Sequence, residues 1–136
     1  MAASVAAAIL RRCVPDDWPV LQASLPHGLA RLCSPAMKTL LIVYHSTTDG
    51  TRQMAAAAAR GAQADAPTVQ TRLLQARDAG PADVLAADAY VFATPENLAA
   101  MAGLMKDFFD RCYYPVLDQI NGRSYATLVC AGSDGR

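Results

Sequence analysis

Thr39-Leu40-Leu41-Ile42-Val43-Tyr44, then His45-Ser46-Thr47-Thr48-Asp49-Gly50-Thr51, then Arg52-Gln53-Met54-Ala55-Ala56-Ala57-Ala58-Ala59, is the stretch that decides the fold class. A short continuous apolar run is the signature of a strand buried on both faces, as in a parallel sheet. The hydroxyl-rich segment that follows it has no period of its own and leads into residues 52–63. There the alanine run is strongly helix-forming and small enough to let a helix lie close on a sheet. The order is strand, loop, helix.

Downstream the same alternation continues. Residues 68–74 are β-branched and aliphatic, and Gly80-Pro81 signals the start of a short helix through residue 87, with Pro81 in its first turn. Ala89-Tyr90-Val91-Phe92-Ala93 is a second apolar run, expected to end at Pro95. Beyond it Met101, Leu104, Met105, Phe108, Phe109 and Cys112 recur at helical spacing, with Lys106, Asp107, Asp110 and Arg111 on the opposite side. That stripe reads as core rather than as a cofactor box. Tyr113-Tyr114 is expected to end this helix before Pro115. Asn121-Gly122 marks a turn, and residues 125–131 form a fourth strand. Alternating strands and helices predict an α/β open parallel sheet with right-handed crossovers.

The 136 residues are 53% hydrophobic and 18% charged, which fits one globular domain. Twelve Lys+Arg balance twelve Asp+Glu, so no net field draws the chain to nucleic acid or to an anionic membrane. The longest apolar run, residues 5–10, is far short of the roughly 20 residues of a membrane span. Cys13, Cys33, Cys112 and Cys130 are too widely spaced for a zinc site or a dithiol centre, so no metal is expected. They read as small buried hydrophobes in a reducing, cytoplasmic compartment.

Residues 1–36 carry Arg11-Arg12, Trp18 and four prolines without a sustained period, and read as an N-terminal extension outside the domain. The arginines follow the apolar stretch, which fits a secretory signal poorly, and a transit peptide is the alternative. The functional domain is expected to span residues 37–136.

In open parallel sheets ligands bind beyond the carboxyl ends of the strands. Three loops stand there. Ser46, Thr47, Thr48, Asp49, Gly50 and Thr51 place four hydroxyls and a glycine at a helix N-terminus, where unpaired amides and the helix dipole favour a phosphate. No Gly-Lys-Ser/Thr closes this loop and no Gly-x-Gly-x-x-Gly runs through it, so ATP and NAD are poor tenants. Capping of the helix without any ligand is the competing reading. Thr94-Pro95-Glu96-Asn97-Leu98 supplies amides and one amide side chain suited to the edge of a flat heterocycle. Gly132-Ser133-Asp134-Gly135 is small enough for backbone to approach a ring. His45 reads as a structural group. Glu96 reads either as a reader of the ring edge or as a first-turn acid complementing a helix dipole.

These segments, with Lys106-Asp107-Phe108-Phe109-Asp110-Arg111 and Cys130-Ala131-Gly132, resemble the flavodoxin-like superfamily, particularly its NAD(P)H-dependent FMN reductase and quinone reductase branch. The resemblance implies helices on both faces of the sheet, with four of the usual five strands in this chain. The strand-four edge would then be exposed and one sheet face half bare, as in a fragment or a prematurely ended gene model. It also implies FMN, its phosphate held by Ser46, Thr48 and Thr51, with the loops at Pro95, Glu96, Asn97 and Leu98 and at Gly132, Ser133 and Asp134 flanking the ring. Asp49 departs from the pattern, which usually has glycine there. No side-chain nucleophile is implied. The expected partners are NAD(P)H and a small-molecule or protein electron acceptor, and a homodimer is left open. Two rivals remain: a flavodoxin-type electron carrier, and a flavin-free remnant of the fold. Carriers use strongly acidic faces, whereas residues 37–136 hold nine Lys+Arg against ten Asp+Glu, which favours the reductase.

Overall fold

The structure is a computed structural model that describes residues 37–65 and 68–132. The extension at residues 1–36, with Cys13, Trp18 and Cys33, lies outside the described residues, and so do Ser133 and Asp134. Five strands and three helices follow in the order β1 (Lys38–Tyr44), α1 (Gly50–Asp65), β2 (Val69–Gln75), α2 (Pro81–Ala86), β3 (Ala89–Asn97), β4 (Ala100–Met101), α3 (Gly103–Val116) and β5 (Ser124–Cys130).

Leu40, Leu41, Ile42 and Val43 are fully buried because β1 is central and covered on both faces. Full burial of each such side chain contributes about 1.5–3 kcal/mol. β1 pairs in parallel with β2, Ile42 beside Leu73, and with β3, Ile42 beside Val91. β3 pairs in parallel with β5, Val91 beside Ala126. The parallel strands therefore run β2-β1-β3-β5, and the short β4 is antiparallel to the end of β3. This is an α/β open mixed sheet of mostly parallel strands with the flavodoxin-like strand order.

Helices cover both faces, as expected. Ala55, Ala58 and Ala62 of α1 pack on Leu40, Ile42, Val91 and Ala93, and their small side chains bring that helix close to the sheet. On the other face Leu41, Val43 and Tyr90 meet Val84 of α2 and Met105, Phe108, Cys112 and Val116 of α3. Phe92, Phe108 and Phe109 form an aromatic cluster there, the closest ring centroids 5.0 Å apart. Burial pushes the Cys112 thiol up, in keeping with a packing role. Cys112 and Cys130 are both free.

Polar side chains tie the crossovers to this frame. Arg111 donates to the carbonyls of Ala79 (2.9 Å) and Ala76 (2.7 Å), so it braces the turn after β2 rather than standing on a purely solvated face. Arg123 donates to the carbonyls that end α2, and the buried Tyr90 hydroxyl donates to Val84 O at 2.9 Å.

Several expectations are corrected. β3 does not stop at Pro95. It continues to Asn97 and turns back into β4, with Glu96 beside Met101 and Asn97 beside Ala100. Proline stands there past Ala93, the last β3 residue paired with β1, and beside Cys130 at the end of the β5 ladder, where a strand tolerates it. Met101 therefore belongs to β4 and is 44% exposed instead of heading the α3 stripe, and Leu104 is equally exposed. α3 runs through Pro115 to Val116, so Tyr113-Tyr114 lies within its last turns, exposed and in edge contact. Gly122, with φ +82°, makes the predicted turn. Among the described residues nothing pairs with the outer edge of β5, and Tyr125 and Val129 are exposed on it. A groove of about 340 Å³ lies between the β3–β4 hairpin, α3 and β5, lined by Thr94, Glu96, Met101, Met105, Phe109 and Val129 among others.

Candidate functional site

The carboxyl ends of β1, β3 and β5 meet at one edge of the sheet. His45 N–H donates to Ala93 O at 3.0 Å, which pins the start of the first loop to β3. Pro95 lies in register beside Cys130. A methyl added at Gly50 would sit 3.0 Å from Cys130 Sγ, so the start of α1 approaches the end of β5 closely enough that a larger residue would make Cys130 give by a few tenths of an ångström. Glycine at this step has a packing reason.

Within the first loop the hydroxyls divide into two kinds. Thr47 and Thr48 are exposed, and Thr47 Oγ1 stands 3.4 Å from His45 Nε2. Ser46 Oγ is shielded from solvent and has no hydrogen-bond partner. Thr51 is 98% buried by its 2% exposure, at the first turn of α1. A shielded hydroxyl without a partner carries a desolvation cost, which a ligand atom hydrogen-bonded to Ser46 Oγ would relieve. The first α1 amide with a backbone acceptor is that of Gln53, which donates to Asp49 O at 3.0 Å. The amides before it are the orphan donors every helix start presents. Small oxyanions match this donor set, since it offers N–H and O–H groups together with the positive end of the helix dipole.

Asp49, the residue that departs from the flavodoxin-like pattern, has φ +74°, where glycine or asparagine is at ease. Its carboxylate is turned onto the first turn of α1. Arg52 Nε donates to Oδ1, Arg52 NH2 donates to Oδ2 at 2.8 Å, and Gln53 Nε2 reaches Oδ2 at 3.1 Å. The Arg52 guanidinium, with Gln53 beside it, holds the Asp49 carboxyl below its usual range, and the pairing raises Arg52 in turn. Sequence reading singled out Asp49 but missed these partners, although the i, i+3 and i, i+4 spacing was there to be read.

The second predicted loop is a hairpin. Leu98 and Ala99 both have positive φ, +52° and +59°, as a two-residue turn of the kind that joins tight β-hairpins requires. Neither is a residue that favours this conformation, so the hairpin left no signal in the sequence. Leu98 at the tip is fully exposed, and Asn97 is exposed next to it. Glu96 is half-buried on β3, not in the first turn of α3, which removes the helix-dipole role considered for it. Thr94 Oγ1 accepts from the Ala102 amide at 3.1 Å and donates to Pro95 O, which fastens the hairpin to the start of α3. Gly132 lies just past β5, where an added methyl would meet nothing within 4 Å. No contact among the described residues requires glycine there.

Among the described residues no group of three or more His, Cys, Asp or Glu side chains gathers as a metal site would. No described helix is long and apolar enough to cross a membrane.

Residues 79–136 match a family model described as NADPH-dependent FMN reductase. A flavodoxin of Aquifex aeolicus (strain VF5) is 30% identical over 99 residues, which are 73% of this chain and 53% of that protein. The chain thus spans about half the length of this curated relative. A solved structure, that of a flavodoxin from the domain Archaea, aligns with a TM-score of 0.49 at 16% identity over 71% of this chain and 86% of its own.

Proposed function

We propose that this chain binds FMN and acts as an oxidoreductase that passes electrons or hydride from NAD(P)H, through the flavin, to a quinone or another small acceptor. The observation that carries the reading is the shielded, unpartnered Ser46 hydroxyl at the amide-lined start of α1. The match of residues 79–136 to an FMN reductase model supports it independently, since those residues exclude this loop.

Bound FMN supplies the redox chemistry. Ser46, Thr48 and Thr51 hydroxyls and the amides of Gly50, Thr51 and Arg52 would hold its phosphate, with Thr47 and Asp49 as the rest of the loop. Pro95, Glu96, Asn97 and Leu98 on the hairpin, and Gly132, Ser133 and Asp134, would be the residues that receive the ring. The domain is residues 37–136, with residues 1–36 as an extension. The free thiols of Cys112 and Cys130 suit a reducing, cytoplasmic setting.

A flavodoxin-type electron carrier is the second reading, favoured by the likeness to the Aquifex aeolicus protein. Against it stands the near balance of nine Lys+Arg and ten Asp+Glu over residues 37–136. Absorbance of the purified protein, before and after FMN addition, tests the cofactor, and a chain that stays colourless refutes both readings. Steady NAD(P)H oxidation with a quinone acceptor identifies the enzyme, while a flavin-loaded chain without turnover is the carrier.

A further inference from the structure

We infer that Asp49 and Arg52 act as one specificity-determining pair, in which Arg52 masks a carboxylate that would otherwise repel the charged end of a phosphate monoester. The inference rests on the FMN reading above and concerns how the cradle treats ligand charge. Asp49 stands immediately before α1 with φ +74°, a conformation that glycine or asparagine would supply without any charge. The aspartate's charge therefore needs its own account.

The positive end of a helix favours any anion close to it, so the Asp49 carboxylate and a ligand phosphate compete for the same field. The structure separates them. Both carboxylate oxygens are taken by the Arg52 fork and by Gln53 Nε2, in solvent-exposed hydrogen bonds. A bidentate guanidinium neutralises the carboxylate and fixes its direction, leaving the amides and the Ser46 and Thr51 hydroxyls to a ligand. The pair's side chains are 44% and 54% exposed, so it adds little to folding, and its measurable effect falls on binding.

Four proteins test this: the wild-type chain, Arg52→Ala, Asp49→Asn and the double variant. Dissociation constants are measured by flavin fluorescence for FMN and for riboflavin, which lacks the phosphate. Arg52→Ala is expected to weaken FMN roughly tenfold and riboflavin hardly at all, because it exposes a like charge to the phosphate. The loss should shrink as salt is raised. Asp49→Asn should bind FMN as well as the wild type or better, and the double variant should recover to within about twofold of it. Equal weakening by Arg52→Ala and Asp49→Asn, or a parallel loss of riboflavin, would show a mere brace of the loop and overturn the inference. So would an Arg52→Ala protein indistinguishable from wild type. A wild-type chain that binds no FMN defeats the cradle assignment itself, and the inference with it.

Discussion

Ser46→Ala separates a ligand-binding hydroxyl from a structural one, because the two predict opposite signs in two measurements. Ser46 Oγ is cut off from solvent and lacks a partner, so the free chain already carries the desolvation cost of a polar group, about 1–3 kcal/mol. Alanine removes that group with almost no change of shape. Stability is therefore expected to stay the same or to rise by up to about 1 kcal/mol, which is roughly 4–8 °C in melting temperature for a domain of this size. Binding should move the other way. A hydroxyl donating to an ionised oxygen is worth about 1.5–3 kcal/mol, so FMN affinity should fall roughly 10- to 150-fold. Riboflavin, without the phosphate, should bind both proteins alike. Thermal melting and fluorescence titration read these outcomes on one preparation. A clear drop in melting temperature would mean that Ser46 serves the fold. Equal losses for FMN and riboflavin would place the hydroxyl away from the phosphate. Either result refutes the assignment.

Phe108, 1% exposed and packed against Phe92 and Phe109, anchors α3 to the sheet, and Phe108→Ala should cost about 3–5 kcal/mol in urea denaturation. A loss under about 1 kcal/mol would contradict the core assignment. Ala99→Gly relieves a left-handed residue in the hairpin (φ +59°) and should raise stability by about 1 kcal/mol, so an unchanged or lower melting temperature would argue against that turn. Asp88 gives a pH dependence. Partial burial pushes its carboxyl up, but the Thr39 amide (2.8 Å) and Lys38 (2.9 Å), with Arg123 nearby, outweigh this and leave it below the ordinary value. A carboxylate lowered on folding contributes stability that is full above its unfolded pKa, about 3.9, and is lost as pH falls through the folded value. Asp88→Asn should therefore lower stability at pH 7 and flatten the acid limb below about pH 4, and parallel acid titrations of the two proteins would disprove the linkage.

What the sequence disclosed follows from what is periodic in it. The four-residue buried run of β1, the alanines at i, i+3 and i+7 of α1 and the Met105, Phe108, Cys112 stripe of α3 are burial patterns, and burial leaves a period. Gly80-Pro81 and Asn121-Gly122 are turn chemistry, and both turned where expected. The β3–β4 hairpin was illegible because Asn97-Leu98-Ala99-Ala100 carries almost none of the residues its backbone calls for. Tertiary pairing of Glu96 with Met101, and the Thr94 clasp on Ala102, override local preference there. At the candidate site the residue types of the first loop were readable, but the division of its hydroxyls into shielded and exposed was not. That division depends on tertiary packing around the loop, which no spacing in the chain encodes.

Local rules are broken in this structure at a few places, and where they break bears on function. Non-glycine residues with left-handed backbone are Asp49, Leu98, Ala99 and Asp118 among the described residues. Asp118 just past α3 is an ordinary helix stop. The other three stand in the loops that follow the carboxyl ends of β1 and β3, the first of which also carries the unpartnered Ser46 hydroxyl. Among the described residues Thr71 on β2 is the one shielded, unpartnered hydroxyl elsewhere. A sequence selected for stability alone would place glycine or asparagine at 49, 98 and 99 and alanine at 46, each a single substitution worth up to about 1 kcal/mol. Departures from local consistency of this kind gather where a ligand repays them. If that is their origin, Ala99→Gly and Ser46→Ala should each stabilise the free chain while Ser46→Ala weakens FMN. Stabilisation of both with flavin affinity untouched would leave the cluster of broken rules without a functional cause.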